Sequence, residues 1–158
     1  MNNLEETLID SFVNLKGLLS QKVEHQSNEN FLTFVKRIAP SIVSDFKMGN
    51  HIKVISNKLQ DLEEGRIKRL MVFLPPRSSK SVICSKLFPA WYIGRHPEHE
   101  ILTVSHSDQL SSDFGRSVRD VVNTEEFQKI FRGVQLRSDV RAAGKWKTCL
   151  LYTSPSPR

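Results

Sequence analysis

The chain has 158 residues, 39% hydrophobic and 25% charged, a composition that suits one modest core and argues against global disorder. No stretch reaches the roughly 18 apolar residues of a membrane span. The opening MNNLEETLID is acidic instead of basic then apolar, and Cys84 and Cys149 fit neither a disulfide framework nor paired zinc spacing, so a soluble intracellular protein without a structural metal is expected.

Leu4, Leu8, Phe12, Leu15 and Leu19 recur at helical spacing behind Asn2 and Asn3, which predicts a helix over about residues 3–22. The polar run 24–30 is the expected internal boundary. Phe31, Phe34, Val35 and Ile38 form a short helical face that Pro40 is expected to end. Asn50 is placed to cap the next helix, with a face of Ile52, Ile55, Leu59 and Leu62 and a left-handed stop at Gly65. The period then changes. Leu70–Leu74 and Ile101–Val104 are short apolar runs of the kind buried on both faces of a parallel sheet. Between them, residues 80–94 suit a helix in which Pro89 must make a kink or start a new turn, so the segment reads as a right-handed βαβ unit. Ser107 or Asp108 opens a helix carrying Leu110, Phe114, Val118 and Val121, and Thr124 caps a short one through Phe131.

The tail CLLYTSPSPR breaks every preceding pattern. One reading frame through the adapter used in transposase-based sequencing libraries translates to this string, so residues 149–158, Cys149 and Tyr152 included, are expected to be an artefact outside fold reasoning. A natural Pro/Ser tail is the alternative.

Charge is unevenly placed. Residues 1–64 hold 7 Lys+Arg against 9 Asp+Glu, and residues 65–158 hold 16 against 8. Such an excess suits a phosphate-bearing partner, or a solvated basic surface.

The turn after Leu74 reads Pro75-Pro76-Arg77-Ser78-Ser79-Lys80-Ser81. In the loop G-x-x-x-x-G-K-[ST], backbone N–H groups wrap phosphates, the Lys meets the β and γ phosphates, and the hydroxyl takes Mg²⁺. Lys80 and Ser81 match the last two positions, while Leu74 and Ser79 stand where the glycines would be. If position 79 needs a left-handed backbone, Ser costs about 1–2 kcal/mol there. Spacing alone leaves a phosphate loop and a plain turn both open.

Four segments in order, RIKRLMVFLPPRSSKS (66–81), FPAWYIGRHP (88–97), SHSDQLSSDFGRSVRDVV (105–122) and RAAGKWKT (141–148), resemble the ATPase domain of tailed-phage terminase large subunits. That family's loop is a deviant P-P-R-x-x-K-S/T, commonly with Gly where Ser79 stands. The resemblance implies a P-loop NTPase-type α/β fold with a parallel sheet. It divides the chain into an N-terminal helix and polar linker (1–30), a helical lead-in (31–66), a partial ATPase core (67–148) and the artefact. It implies ATP and Mg²⁺ as cofactors, with Pro76, Arg77, Ser78, Ser79, Lys80 and Ser81 forming the site. Lys80 would hold the β/γ phosphates, Arg77 would contact the γ phosphate, Ser81 would ligate Mg²⁺, and His51 would touch adenine. The function implied is a motor driving double-stranded DNA into a capsid, as a ring working with a portal protein and a small terminase subunit in the host cytoplasm. The family's acidic strand and nuclease carboxylates have no counterpart up to Thr148, so this chain alone is expected not to turn over ATP.

Other residues keep two readings. His51 also suits a cap or surface role, and His106 suits a proton carrier or a strand-end polar position. Asp108 and Asp113, five apart, point in different directions on a helix. Trp91 and Tyr92 suit a core or a stacking platform. Arg116 and Arg119, at i and i+3, suit DNA phosphates, a neighbouring subunit's nucleotide, or solvent. Arg141 and Lys145 lie in matched sequence without a deducible role. A helicase-like or repair ATPase and a non-enzymatic nucleic-acid-binding domain are the competing functions.

Overall fold

The computed structural model describes residues 2–142 and 145–148, with side-chain surroundings described over 12–136. Six α-helices are present among them: α1 (Asn2–Glu29), α2 (Phe31–Ile42), α3 (Asn50–Glu63), α4 (Phe88–Arg95), α5 (Asp108–Val122) and α6 (Glu125–Ile130). Two strands, β1 (Leu136–Ala142) and β2 (Lys145–Thr148), pair antiparallel with Arg141 opposite Trp146 and a register irregularity between Leu136 and Arg141. Arg141 and Lys145 therefore belong to this two-stranded sheet; Cys149 and Tyr152 lie outside the described residues.

This overturns the expected parallel-sheet α/β fold. The described chain is helical, and its only sheet is the antiparallel pair. Residues 70–74 and 101–104 belong to no helix and no strand. An apolar run reports what a segment tends to bury, whereas a strand also needs a neighbour to accept its N–H groups and donate to its carbonyls. Neither run has such a ladder among the described residues. Leu70, Val72 and Leu74 lean on the core with alternate spacing, while Met71 and Phe73 face outward at 81% and 84% exposure.

Local signals explain the helix ends. Asn30 alone separates α1 from α2, and its side chain accepts from the Thr33 N–H. Helix α1 thus runs through the polar stretch expected as a boundary. The Gln60 amide spans the same joint, donating to the Glu29 carbonyl at 3.2 Å and accepting from the Phe31 N–H at 3.2 Å. Helix α2 carries Pro40 in its last turn and ends two residues later. Gly49 is the N-cap of α3, with Asn50 its first helical residue, and Gly65 at φ +74° takes the chain out of the helix in the conformation glycine tolerates best. Ser107 and Thr124 cap α5 and α6 by accepting from the Leu110 and Phe127 N–H groups.

The core is built from facing stripes of α2, α3, α4, α5 and α6. Phe31, Phe34, Trp91 and Phe127 are fully buried, with Phe31 and Trp91 ring centroids 5.2 Å apart. The buried Trp91 Nε1 donates to the carbonyls of Ser27 and Asn28 at 3.2 and 3.0 Å. Those belong to the last turn of α1, where a helix has no partners of its own to offer. Trp91 is thus a core residue and a clasp for α1. Gly94 sits where the α4 backbone meets the Phe131 ring, which a Cβ would strike at 2.6 Å.

Candidate functional site

Residues 75–81 link the apolar run 70–74 to a helical stretch over 80–95. Arg77 has φ +62° and Ser79 φ +59°, the only non-glycine residues with positive φ among those described, and Ser78 between them lies outside that region. Backbone turns in which successive N–H groups share one side form anion-binding concavities, and the left-handed Arg77 and Ser79 give this loop a tight turn of that general kind. Ser78 Oγ donates to the Pro75 carbonyl at 2.7 Å and fixes the turn from within. The loop lines a cavity of about 250 Å³, formed by Leu74 through Val82. Its far end is the start of the helix, where N–H groups and the helix dipole favour negative charge.

Arg77 and Lys80 are exposed, and neither side chain makes a hydrogen bond or ion pair to another described residue. Ser81 is exposed beside Lys80. Lys80 and Ser81 also border a second cavity of about 370 Å³ with an apolar wall of Leu59, Leu70, Val72 and Phe88. Cys84 stands in this wall; burial pushes its thiol up, with the Lys80 ammonium pulling the other way. Pro76, Arg77, Ser78, Ser79, Lys80 and Ser81 are therefore brought to one concave surface. His51 is not: it is exposed at the start of α3, its ring lies over Gly49, and it lines neither cavity.

The helix behind the loop has an unusual second turn. Val82–Leu87 is π-helical, and the Phe88 N–H bonds the Ile83 carbonyl five residues back. Pro89 follows, and its missing N–H and its ring forbid a regular α-helical bond there, so the wider turn lets one helix pass through the proline. The sequence left a kink or a new turn open at Pro89; the helix instead continues to Arg95 behind the π-helical stretch.

Arg116 bonds Asp113 at 3.1 Å and Arg119 lies 3.5 Å from Asp120, so both basic groups on α5 are accompanied by carboxylates of their own helix. Asp108 is exposed in the first turn of α5, where it complements the dipole, and His106 is exposed just before it.

One cluster escaped the sequence reading. His96, Glu98 and His99, just after α4, bring one donor atom each within 4.8 Å of one another. The spacing H-P-E-H was the available signal. What gives it meaning is Glu63 on α3, 33 residues earlier, and no local pattern reveals that contact.

No protein-family model, curated protein or solved structure matches this chain.

Proposed function

We propose that the chain is the ATP-binding part of a DNA-packaging motor of the terminase large-subunit type, with the nucleotide's phosphates seated at Pro75–Ser81. The observation that carries the reading is the alternating left-handed backbone at Arg77 and Ser79 around a cavity that opens on unpaired Arg77 and Lys80. A short loop with two strained residues is kept where its shape is used. The residues fit the group: the concavity offers N–H donors, Lys80 a mobile positive charge, and Ser81 a hydroxyl for a Mg²⁺ that travels with the phosphates. The neighbouring apolar cavity, which shares Lys80 and Ser81, suits the less polar part of a nucleoside. ATP with Mg²⁺ supplies the energy for movement; the chain's own residues bind and orient it. The resemblance of the four segments to terminase sequence extends this from nucleotide binding to translocation of double-stranded DNA. Portal protein, small subunit and ring assembly come with that extension.

The test is titration of a fluorescent ATP analogue with Mg²⁺ into the full chain. Saturable binding displaced by ATP, weakened at least tenfold in Lys80→Ala with helix content intact, supports the reading. Binding that Lys80→Ala leaves unchanged, or none at all, overturns it.

A further inference from the structure

We propose that His96, Glu98 and His99 form a site for a divalent transition-metal ion of the Zn²⁺ class, held in shape by Glu63 and Tyr92. The site is independent of the nucleotide reading.

Each imidazole has one nitrogen engaged and the other aimed at the same carboxylate. His96 Nε2 lies 2.7 Å from Glu63 Oε1, and a carboxylate oxygen accepts, so in the neutral, metal-binding imidazole the hydrogen sits on Nε2 and the lone pair is on Nδ1. Nδ1 is 4.0 Å from Glu98 Oε1. His99 Nδ1 pairs with the Tyr92 hydroxyl at 3.0 Å, and its Nε2 is 3.7 Å from the same Glu98 oxygen. Metal-bound histidines are held in this way, with the far nitrogen on a carboxylate or hydroxyl that fixes tautomer and direction.

Glu63 is suited to the task. Its side chain is only 2% exposed, and Oε1 also accepts from Arg95 Nε at 2.8 Å. Oε2 is buried without a hydrogen-bond partner. Burying a carboxylate costs several kcal/mol unless it is well paired, so its position under His96 has to be maintained against that cost.

Tetrahedral Zn²⁺ with bonds of about 2.0–2.2 Å needs donors about 3.3 Å apart. Closing from the present separations takes about 0.4–1.5 Å at each pair. Glu98 and His99 are exposed and can supply it. The two rings now lie 11° from parallel with centroids 4.9 Å apart, so capture turns His99 out of that alignment. Two imidazoles and one carboxylate select Zn²⁺, Co²⁺ or Ni²⁺ over Mg²⁺, which prefers oxygen and keeps its water. The ion would tie the residues after α4 to each other and, through His96, to α3.

The probe is Co²⁺ titrated into the full chain and followed by its visible absorption, with Zn²⁺ as competitor. One equivalent is expected, displaced by Zn²⁺ and not by millimolar Mg²⁺, with Tm raised by the bound ion. His99→Ala, an exposed position, should abolish it. Tyr92→Phe and Glu63→Gln should each weaken it about 10- to 100-fold. Tyr92→Phe keeps the test decisive should Glu63→Gln fail to fold. Binding unchanged in His99→Ala, or a thiolate charge-transfer band showing capture by Cys84 or Cys149, overturns the proposal.

Discussion

Apolar stretches of this chain meet opposite fates. Phe31, Phe34, Val35 and Ile38 of α2 vanish into the core, whereas Met71, Phe73, Leu102 and Val104 stand in solvent at 81% exposure or more. Hydrophobicity alone does not distinguish them. The helix satisfies its own backbone and needs only a face to pack against, which α3, α4 and α6 supply. A segment outside a helix leaves its backbone groups to a neighbour, and none of the described residues provides one. The boundary between the two regimes falls at the 75–81 turn, where backbone strain and unpaired cations also gather.

The largest effect that tests this contrast is a pair of substitutions. Trp91→Ala removes a fully buried ring and the two hydrogen bonds that clasp α1. A loss of about 3–5 kcal/mol is expected. Phe73→Ser removes a ring of similar size from the exposed run and should cost within about 0.5 kcal/mol. Urea denaturation of both variants measures the difference. A large cost for Phe73→Ser would mean that the exposed run is covered in solution and the contrast is false.

Next comes the turn itself. Lys80→Ala should leave urea stability within about 0.5 kcal/mol, because the side chain is exposed and makes no hydrogen bond or ion pair. It should weaken ATP–Mg²⁺ binding by about 1.5–3 kcal/mol, the worth of a charge-assisted bond. Comparing the denaturation midpoint with the binding isotherm on the same preparation separates the two. A fall in stability matching the fall in affinity would make Lys80 a structural residue.

How far this division was visible in the sequence depends on the range over which each feature is set. Ser107, Thr124 and Gly65 act on residues within one turn of themselves, and all three stand where local chemistry puts them. The apolar faces of α2 and α3 were legible for the same reason. The sheet was misjudged because Leu70–Leu74 and Ile101–Val104 carry a strand's composition without its pairing, and pairing is a long-range property. Trp91 could be read as core but not as the clasp of carbonyls 63 and 64 residues away. At the loop, a left-handed Ser79 was foreseen as a condition, whereas positive φ at Arg77 had no local sign. The His96, Glu98 and His99 cluster was missed because its support, Glu63, lies on another helix.

A smaller effect sharpens the loop reading. Ser79→Gly removes a left-handed cost of about 1–2 kcal/mol and gives back about 0.5–1 kcal/mol in unfolded-state freedom, for a net gain of at most about 1.5 kcal/mol. ATP–Mg²⁺ binding is expected to equal or exceed wild type, since the backbone can approach phosphate more closely. Clearly weaker binding in a folded variant would show that the Ser79 hydroxyl takes part, and the loop's assignment would need revision.

The smallest effect concerns the end of α3, which precedes the exposed run. Asp61, near the end of α3, accepts from Lys58 Nζ at 3.1 Å and Arg66 Nε at 2.8 Å, and its carbonyl accepts from the Ile67 N–H at 3.2 Å. Arg66 also pairs with Glu64. The hydrogen bonds from Lys58 and then Arg66 hold the Asp61 carboxyl below its ordinary value of 3.8. A folded state that binds this proton less readily than the unfolded chain gains stability above the unfolded pKa. That stability is lost as pH falls through the ordinary value and then through the lower folded one. Asp61→Asn should therefore be less stable than wild type at neutral pH, and the gap should close in acid as pH falls through the lowered folded value. The site is near the surface, so salt should narrow the gap as well. Denaturation midpoints of both proteins across pH, at low and high ionic strength, measure this. A gap that persists unchanged in acid would mean that Asp61 steers the chain out of α3 by its shape and its backbone contact to Ile67, and not by its charge.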